Sequence, residues 1–155
     1  MVLLLHSSWS VAMKNHAVIQ STNQEDTMRI NLSSVLVDDQ EKALKFYTEK
    51  LGFVKKEDIP MGEFRWLTVT SPDGPEGIEL VLEPMGFPPA RDFQKALFEA
   101  GIPLTAFLTD DIQKEFNQLK ERGVMFRSEP QAMGAIISVL FEDSCGNLIN
   151  LVQPE

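Results

Sequence analysis

The sequence predicts an α+β protein built from two tandem copies of one β-α-β-β-β unit, and two internal echoes predict this class. Residues 37–42, which read Val-Asp-Asp-Gln-Glu-Lys, return as residues 109–114, Thr-Asp-Asp-Ile-Gln-Lys. Later in each half, the segment Ile78–Val81 returns as Ile149–Val152. Both echoes recur after roughly 71 to 72 residues, which is too long for a solenoid repeat. We therefore expect two similar halves that face each other across a cleft.

The first unit, residues 28–84, contains four predicted strands and one helix. Runs of β-branched and aliphatic residues predict strands over residues 30–37, 54–59, 64–70 and 77–83. Asp38, with Glu41 three residues later, is typical of a capped helix start, and Gly52 is typical of a helix end. Apolar residues recur at helical spacing in between. Among them, we expect Tyr47 to be a core residue whose hydroxyl reaches the surface.

The second unit, residues 104–155, repeats this order. Strands are predicted over residues 104–109, 126–129, 135–141 and 148–152. Asp110 with Gln113 repeats the helix start, and Gly123 repeats the helix end. The linker, residues 85–103, is rich in proline and carries a predicted short helix over residues 90–100. Its apolar residues, Phe93, Leu97 and Phe98, are expected to be buried.

Residues 1–27 differ from the rest and are predicted to be a flexible N-terminal extension. The apolar run Met1–Leu5 is too short to span a bilayer, and no basic segment precedes it as in a signal peptide. Both histidines of the chain, His6 and His16, lie here. Residues 21–27 are polar and typical of a linker.

The composition indicates a globular protein that binds neither nucleic acid nor membranes. Of the 155 residues, 43% are hydrophobic and 24% are charged, and the net charge is -9. This balance offers no basic surface for a phosphate backbone or an anionic membrane, whereas it would attract a cationic ligand. Acidity also simply keeps a protein soluble. The single cysteine, Cys145, has no disulfide partner and fits a reducing, cytoplasmic location.

The doubled unit resembles the vicinal oxygen chelate superfamily, which includes glyoxalase I, extradiol dioxygenases, and fosfomycin and bleomycin resistance proteins. The resemblance covers residues 28–155 and is carried by the segment Phe46–Phe53, Phe-Tyr-Thr-Glu-Lys-Leu-Gly-Phe, and by residues 143–151 near the end. It implies that the two units form an incomplete barrel whose concave cup holds a small ligand. It also implies that the protein is a homodimer. In some members of the superfamily, each cup is built from two chains.

Enzymes of this superfamily hold a divalent metal on the cup floor, and the resemblance assigns its ligands to four positions. These are Leu32, Glu79, Leu104 or a direct neighbour, and Asn150. Catalytic metal sites need about three protein ligands of suitable type, and the two leucines offer no donor atom. We therefore expect no metal cofactor of the family type. If a metal is present, Glu79 and Asn150 would be its ligands.

Glu79 interrupts an apolar strand, and strand alternation places it on the face opposite Ile78 and Leu80. If the face that carries Ile78 and Leu80 packs against the helices, Glu79 faces the cup. There it could clamp a ligand amine, act as a catalytic base, or remain an acid that is solvated or paired with Arg65 or Arg127. The other candidate ligand-binding residues are Leu32, Ser34, Trp66, Leu104, Ala106 and Asn150.

Three functions remain open. The first is a binding protein of the bleomycin-resistance type that sequesters a small, cationic molecule without a metal. The second is a metal-dependent, glyoxalase-like lyase or isomerase, or a dioxygenase-related enzyme, using Glu79 as ligand. The third is a metal-free enzyme with Glu79 as base. The lost metal ligands, the acidity and the apolar cup favour the first function, so we do not expect an enzyme; if it is one, we expect a lyase of the glyoxalase type.

Overall fold

The computed structural model describes residues 28–155. The predictions for residues 1–27, including the flexible extension and its two histidines, lie outside the described residues. The described chain has mixed α and β structure with two separate sheets that do not close into a barrel. This confirms the predicted fold class.

The first unit forms a four-stranded sheet covered by one helix. Its elements are β1 (Leu32–Val37), α1 (Gln40–Lys45), β2 (Val54–Met61), β3 (Phe64–Thr70) and β4 (Glu79–Pro84). A π-helical turn over Phe46–Lys50 extends α1. The strand order is β1-β4-β3-β2, with β1 parallel to β4 and the other pairs antiparallel. β1 is therefore an edge strand.

The linker and the second unit repeat this plan with shorter outer strands. The elements are α2 (Pro88–Glu99), β5 (Thr105–Leu108), α3 (Ile112–Glu121), β6 (Met125–Phe126), β7 (Gln131–Ala132), β8 (Ile136–Glu142) and β9 (Leu148–Pro154). The order is β5-β9-β8-β6, and β7 also pairs with β8. The strand predicted over residues 126–129 is wrong in extent, because the chain pairs at β6, leaves the sheet and returns as β7.

The helix starts are shifted by one residue from the prediction. Asp39 caps α1, because its carboxylate accepts from the backbone N–H groups of Glu41 and Lys42 at 2.9 and 3.0 Å. Asp111 caps α3, because its carboxylate accepts from the backbone N–H of Lys114 at 3.0 Å. A capping side chain must reach the N–H groups two or three residues ahead, and the second aspartate of each pair does so. Asp38 instead pairs with the Lys42 ammonium at 2.7 Å.

The ends of the two equivalent helices contact each other. Gly52 and Gly123 end them with φ of +80° and +81°, as predicted, a conformation that favours glycine. The Lys50 ammonium donates to the Arg122 carbonyl, and the Arg122 guanidinium donates to the Lys50 carbonyl at 2.9 Å. Each cation therefore lies at the negative end of the other unit's helix, where it is stabilising.

One hydrophobic core lies on the helix side of both sheets. The Phe107 ring of β5 contacts the rings of Tyr47, Phe53 and Phe141, with centroids 6.5, 5.4 and 6.4 Å apart. Buried side chains from both sheets join the same cluster: Val35, Val37, Leu67, Val69, Leu82, Val139, Phe141, Ile149 and Leu151. The opposite faces of the two sheets therefore lie away from the core. We call these opposite faces the cup face.

A buried polar cluster joins the linker to both units. It consists of Tyr47, Gln94, Asp143 and Asn147 with the Leu36 carbonyl. Asn147 Nδ2 donates to that carbonyl at 2.7 Å and to Asp143 Oδ2 at 2.6 Å. Gln94 Nε2 donates to the same carbonyl at 2.9 Å and to Asn147 Oδ1 at 2.8 Å. The free edge of β1 is thereby fixed to the β8–β9 turn.

Two predictions about burial are wrong because of this cluster. The Tyr47 hydroxyl does not reach the surface but donates to Asp143 Oδ2 at 3.0 Å inside the protein. In the linker helix, Gln94 is the buried residue, whereas Phe93 is 54% exposed. A polar side chain can be buried in this position because its hydrogen bonds are satisfied.

Among residues 28–155, no helix combines the length and the apolar character needed to cross a membrane.

Candidate ligand-binding site

The strand register places Glu79 on the cup face of the first sheet. Leu32 lies opposite Glu79 and Ser34 opposite Val81, which in turn pairs with Thr68. The alternate residues of these strands, such as Leu82, are buried in the core. Because side chains alternate along a strand, Leu32, Ser34, Trp66, Thr68 and Glu79 share the face away from the helices.

The corresponding face of the second sheet carries Ala106 and Asn150, which lie directly opposite each other. Leu104 precedes β5 and packs against the core. The second-unit counterpart of Leu32 is therefore Ala106 and not Leu104. The second unit has two residues fewer between this position and its helix cap. The spacing between Leu32 and its helix, when applied to the second unit, therefore leads to Leu104, whereas the strand register shows Ala106.

Glu79 is held by the hydroxyl of Thr68, a contact that the sequence alone did not predict. Thr68 Oγ1 donates to Glu79 Oε2 at 2.7 Å and accepts from the Glu57 backbone N–H at 3.1 Å. Thr68 is fully buried. The register of β2 shifts between Lys55 and Asp58, next to this contact, and such bulges redirect backbone groups. A threonine in an apolar strand was the available signal, but its partners depend on the cross-strand register.

The arginines expected near Glu79 bind other acids. Arg65 contacts Glu41 at 3.2 Å and Asp58 at 3.5 Å. Arg127 contacts Glu142 at 2.9 Å and lies over the Phe98 ring. Within the described part of the chain, the recorded partner of the Glu79 carboxylate is a neutral hydroxyl. Its negative charge therefore remains available to a ligand.

Asn150 presents a buried acceptor on the same face. Its Oδ1 atom is buried and, among residues 28–155, has no hydrogen-bond donor. A buried polar atom without a partner is rare and costs about 1–3 kcal/mol. An atom of this kind at a cup-face position is a reason to expect a ligand group there.

The donor set does not fit the metal centre that the resemblance implies. No three His, Cys, Asp or Glu side chains within residues 28–155 come together in a way that could hold a metal ion. Leu32 and Ala106 lack donor atoms, one Glu79 oxygen is bound by Thr68, and Asn150 offers only an amide. Catalytic zinc sites use three protein ligands.

Cys145 does not supply a nucleophile. The side chain is 2% exposed, and burial raises the pKa of its thiol to about 12. The thiolate is the reactive form, so the thiol is unreactive at neutral pH.

A cavity of about 240 Å³ lies between the units, where β1 and β4 meet β5. It is lined by Ser33 of β1, by Phe53 and Leu80, and by Thr105 and Phe107 of β5. We call it the seam cavity. Glu79 and Ala106 also line it, so the seam cavity adjoins the cup face at these two positions.

The fold agrees with that of known proteins. The family model of the Glyoxalase/Bleomycin resistance protein/Dioxygenase superfamily matches residues 29–151. The chain belongs to this superfamily. It is 56% identical over 126 residues to the uncharacterized protein YurT of Bacillus subtilis (strain 168), which covers 81% of this chain and 99% of YurT.

Two solved structures of proteins with the same fold are similar to this chain. UcmS2 has a TM-score of 0.71 at 30% identity, over 81% of this chain and 98% of UcmS2. TnmS3, described as an antibiotic binding protein from Streptomyces sp. CB03234, has a TM-score of 0.65 at 32% identity, over 85% of this chain and all of TnmS3. A protein described as binding an antibiotic is therefore among its structural relatives.

Proposed function

We propose that this superfamily member is a binding protein that sequesters a small cationic molecule in its cup without a metal and without catalysis. The observation that carries the proposal is the cup face itself. Among residues 28–155, it holds the Glu79 carboxylate with no recorded cationic partner, beside apolar side chains and without a metal-binding donor set. The likeness to an antibiotic binding protein supports the same function.

The chemistry of the cup face favours a flat cation. Trp66 shares the face of Glu79, and aromatic rings attract cations positioned over them. The net charge of -9 adds a long-range attraction for positive ligands. A carboxylate beside an aromatic ring therefore suits a ligand that is both aromatic and positively charged.

Binding should depend on Glu79 and be independent of metal. Protein purified without chelators should carry well under one equivalent of transition metal and bind 10-methylacridinium, a flat cation, more tightly than neutral acridine. Glu79→Gln should weaken binding of the cation about tenfold or more, since a charge-assisted interaction is lost, and leave acridine unchanged. Isothermal titration calorimetry with and without EDTA, together with elemental analysis, measures these quantities.

Arg65→Gln is the matched control, because Arg65 pairs with Glu41 and Asp58 and not with Glu79. Equal binding of the two acridines, or undiminished binding by Glu79→Gln, contradicts the proposal. Stoichiometric zinc, nickel, iron or manganese would favour the alternative, a metal-dependent lyase of the glyoxalase type that uses Glu79 and Asn150 as ligands.

We further propose that the protein acts as a cytoplasmic homodimer. Large apolar side chains on the cup face and at its margin are exposed: Leu108 is 75% exposed, Met125 66% and Met133 64%. A second copy would bury them, and methionine adapts well to such contacts. Sedimentation velocity should give twice the monomer mass, and Leu108→Glu should give the monomer. A monomeric wild-type protein at micromolar concentration would contradict this proposal.

A further inference from the structure

The cup face presents two hydrogen-bond acceptors that the described protein does not satisfy. Glu79 uses Oε2 to accept from Thr68, and among residues 28–155 its Oε1 has no recorded donor. Asn150 Oδ1 is buried and also has none. One acceptor comes from each unit, at the two positions that correspond between β4 and β9. A ligand that completes both must supply hydrogen-bond donors.

Thr68 fixes which Glu79 oxygen is available. A hydroxyl has one hydrogen to donate. The Glu57 backbone N–H can only donate, so Thr68 Oγ1 accepts from it at 3.1 Å. The single Thr68 hydrogen is therefore free to point at Glu79 Oε2, 2.7 Å away. Because Thr68 is fully buried, its hydroxyl is confined to these two partners, and Glu79 Oε1 has no recorded donor among residues 28–155.

We infer that the cup selects cations that carry N–H groups, such as protonated amines and amidines, over quaternary ammonium ions, and that Thr68 is the positioning residue for Glu79. This inference rests on the proposed function, because it specifies the cation that the same cup binds. An N–H donor satisfies Glu79 Oε1 or Asn150 Oδ1, whereas a quaternary ion has no hydrogen to give. A quaternary ion would leave a buried acceptor unpaired, and unpaired acceptors lower affinity.

A matched pair of acridine cations tests the selection. 9-Aminoacridinium carries N–H donors, and 10-methylacridinium has the same ring system and charge without them. Calorimetry on the wild-type protein should give a dissociation constant about tenfold or more lower for 9-aminoacridinium. Equal affinities for the two cations would overturn this inference and leave the proposed function standing. Failure of both cations to bind would overturn the proposed function itself.

Variants of Thr68 test its positioning role. Thr68→Val removes the hydroxyl at nearly constant volume and should abolish the preference for 9-aminoacridinium, while 10-methylacridinium binds as before. Thr68→Ser keeps the hydroxyl and should restore the preference. Thr70→Val is the matched control on the same strand, because the Thr70 hydroxyl donates to the Ile78 carbonyl and not to Glu79. A preference retained by Thr68→Val would overturn the role of Thr68.

Variants of Asn150 test the second acceptor independently of the first unit. Asn150→Asp should strengthen 9-aminoacridinium binding more than 10-methylacridinium binding, since both side-chain oxygens then accept. Asn150→Leu should reduce the preference. Unchanged preference in both variants would remove Asn150 from the site. These variants remain informative even where Thr68→Val fails to fold.

Discussion

Asp143→Ala should lower the free energy of unfolding by about 3–5 kcal/mol, a loss typical of removing one partner from a buried charged network. The Asp143 carboxylate is fully buried and accepts four hydrogen bonds. They come from the Tyr47 hydroxyl, from Asn147 Nδ2, and from the backbone N–H groups of Cys145 and Asn147. The alanine variant leaves these donors buried without an acceptor. Denaturation by guanidinium chloride, followed by circular dichroism, measures the loss.

The loss should depend on pH in a defined direction. Burial raises the pKa of Asp143 above its ordinary value of 3.8, although the hydrogen bonds from Asn147 oppose the shift. The folded state therefore holds this proton more tightly than the unfolded state. The contribution of Asp143 to stability is fully present below pH 3.8 and falls as pH rises through the folded pKa. The difference between wild type and Asp143→Ala should thus be larger in acid than at neutral pH.

Tyr47→Phe is the matched control, because it removes one donor and leaves the acceptor with three partners. We expect it to cost about 1 kcal/mol. A loss below about 1 kcal/mol for Asp143→Ala, or a difference that grows with rising pH, would contradict the account of the buried polar cluster.

Phe107→Ala should lower the free energy of unfolding by about 3–5 kcal/mol. Small aromatic molecules that fill the enlarged cavity should restore part of this loss. The Phe107 ring contacts three other rings from both units and lines the seam cavity of about 240 Å³. Its removal adds the lost transfer free energy to the energy of a larger void. Apolar cavities of roughly 150 Å³ already bind benzene. Millimolar indole should therefore raise the Tm of the variant, measured by differential scanning fluorimetry.

Phe126→Ala is the control for this prediction. Phe126 packs against Phe116 and Phe141, with centroids 4.5 and 5.9 Å apart, and it does not line the seam cavity. The Phe126→Ala variant should have a lower Tm than the wild type, and indole should not raise it. Equal recovery of both variants would show that indole does not act through the seam cavity.

Much of the fold was predictable because it depends on local and repeated signals. Local signals include the repeated acidic helix starts, the glycines at positions 52 and 123, and the apolar strands. Each of them depends only on the residues of its own segment. The helix caps were wrong by one residue because two adjacent aspartates compete, and only the geometry of the turn decides between them. Tyr47 and Gln94 could not be assigned, since their burial depends on partners about 50 to 100 positions away, at Asp143 and Asn147.

The candidate site was predictable to the level of a strand face. Alternation alone placed Glu79 away from Leu80 and Leu82, and the register agrees. The identity of its partner was not predictable, because the contact with Thr68 joins two strands and depends on their pairing. The assignment of Leu104 as the counterpart of Leu32 failed for a related reason. A count along the chain assumes equal connections in both units, and the second connection is shorter.

The crossed contacts of Lys50 and Arg122 have a consequence for the integrity of the two halves. Each unit places its own cation at the helix end of the other, so the two halves stabilise each other at these ends. Separation of the halves would expose two uncompensated partial charges and one side of the common core at once. Each half of this chain therefore depends on the other for part of its stability.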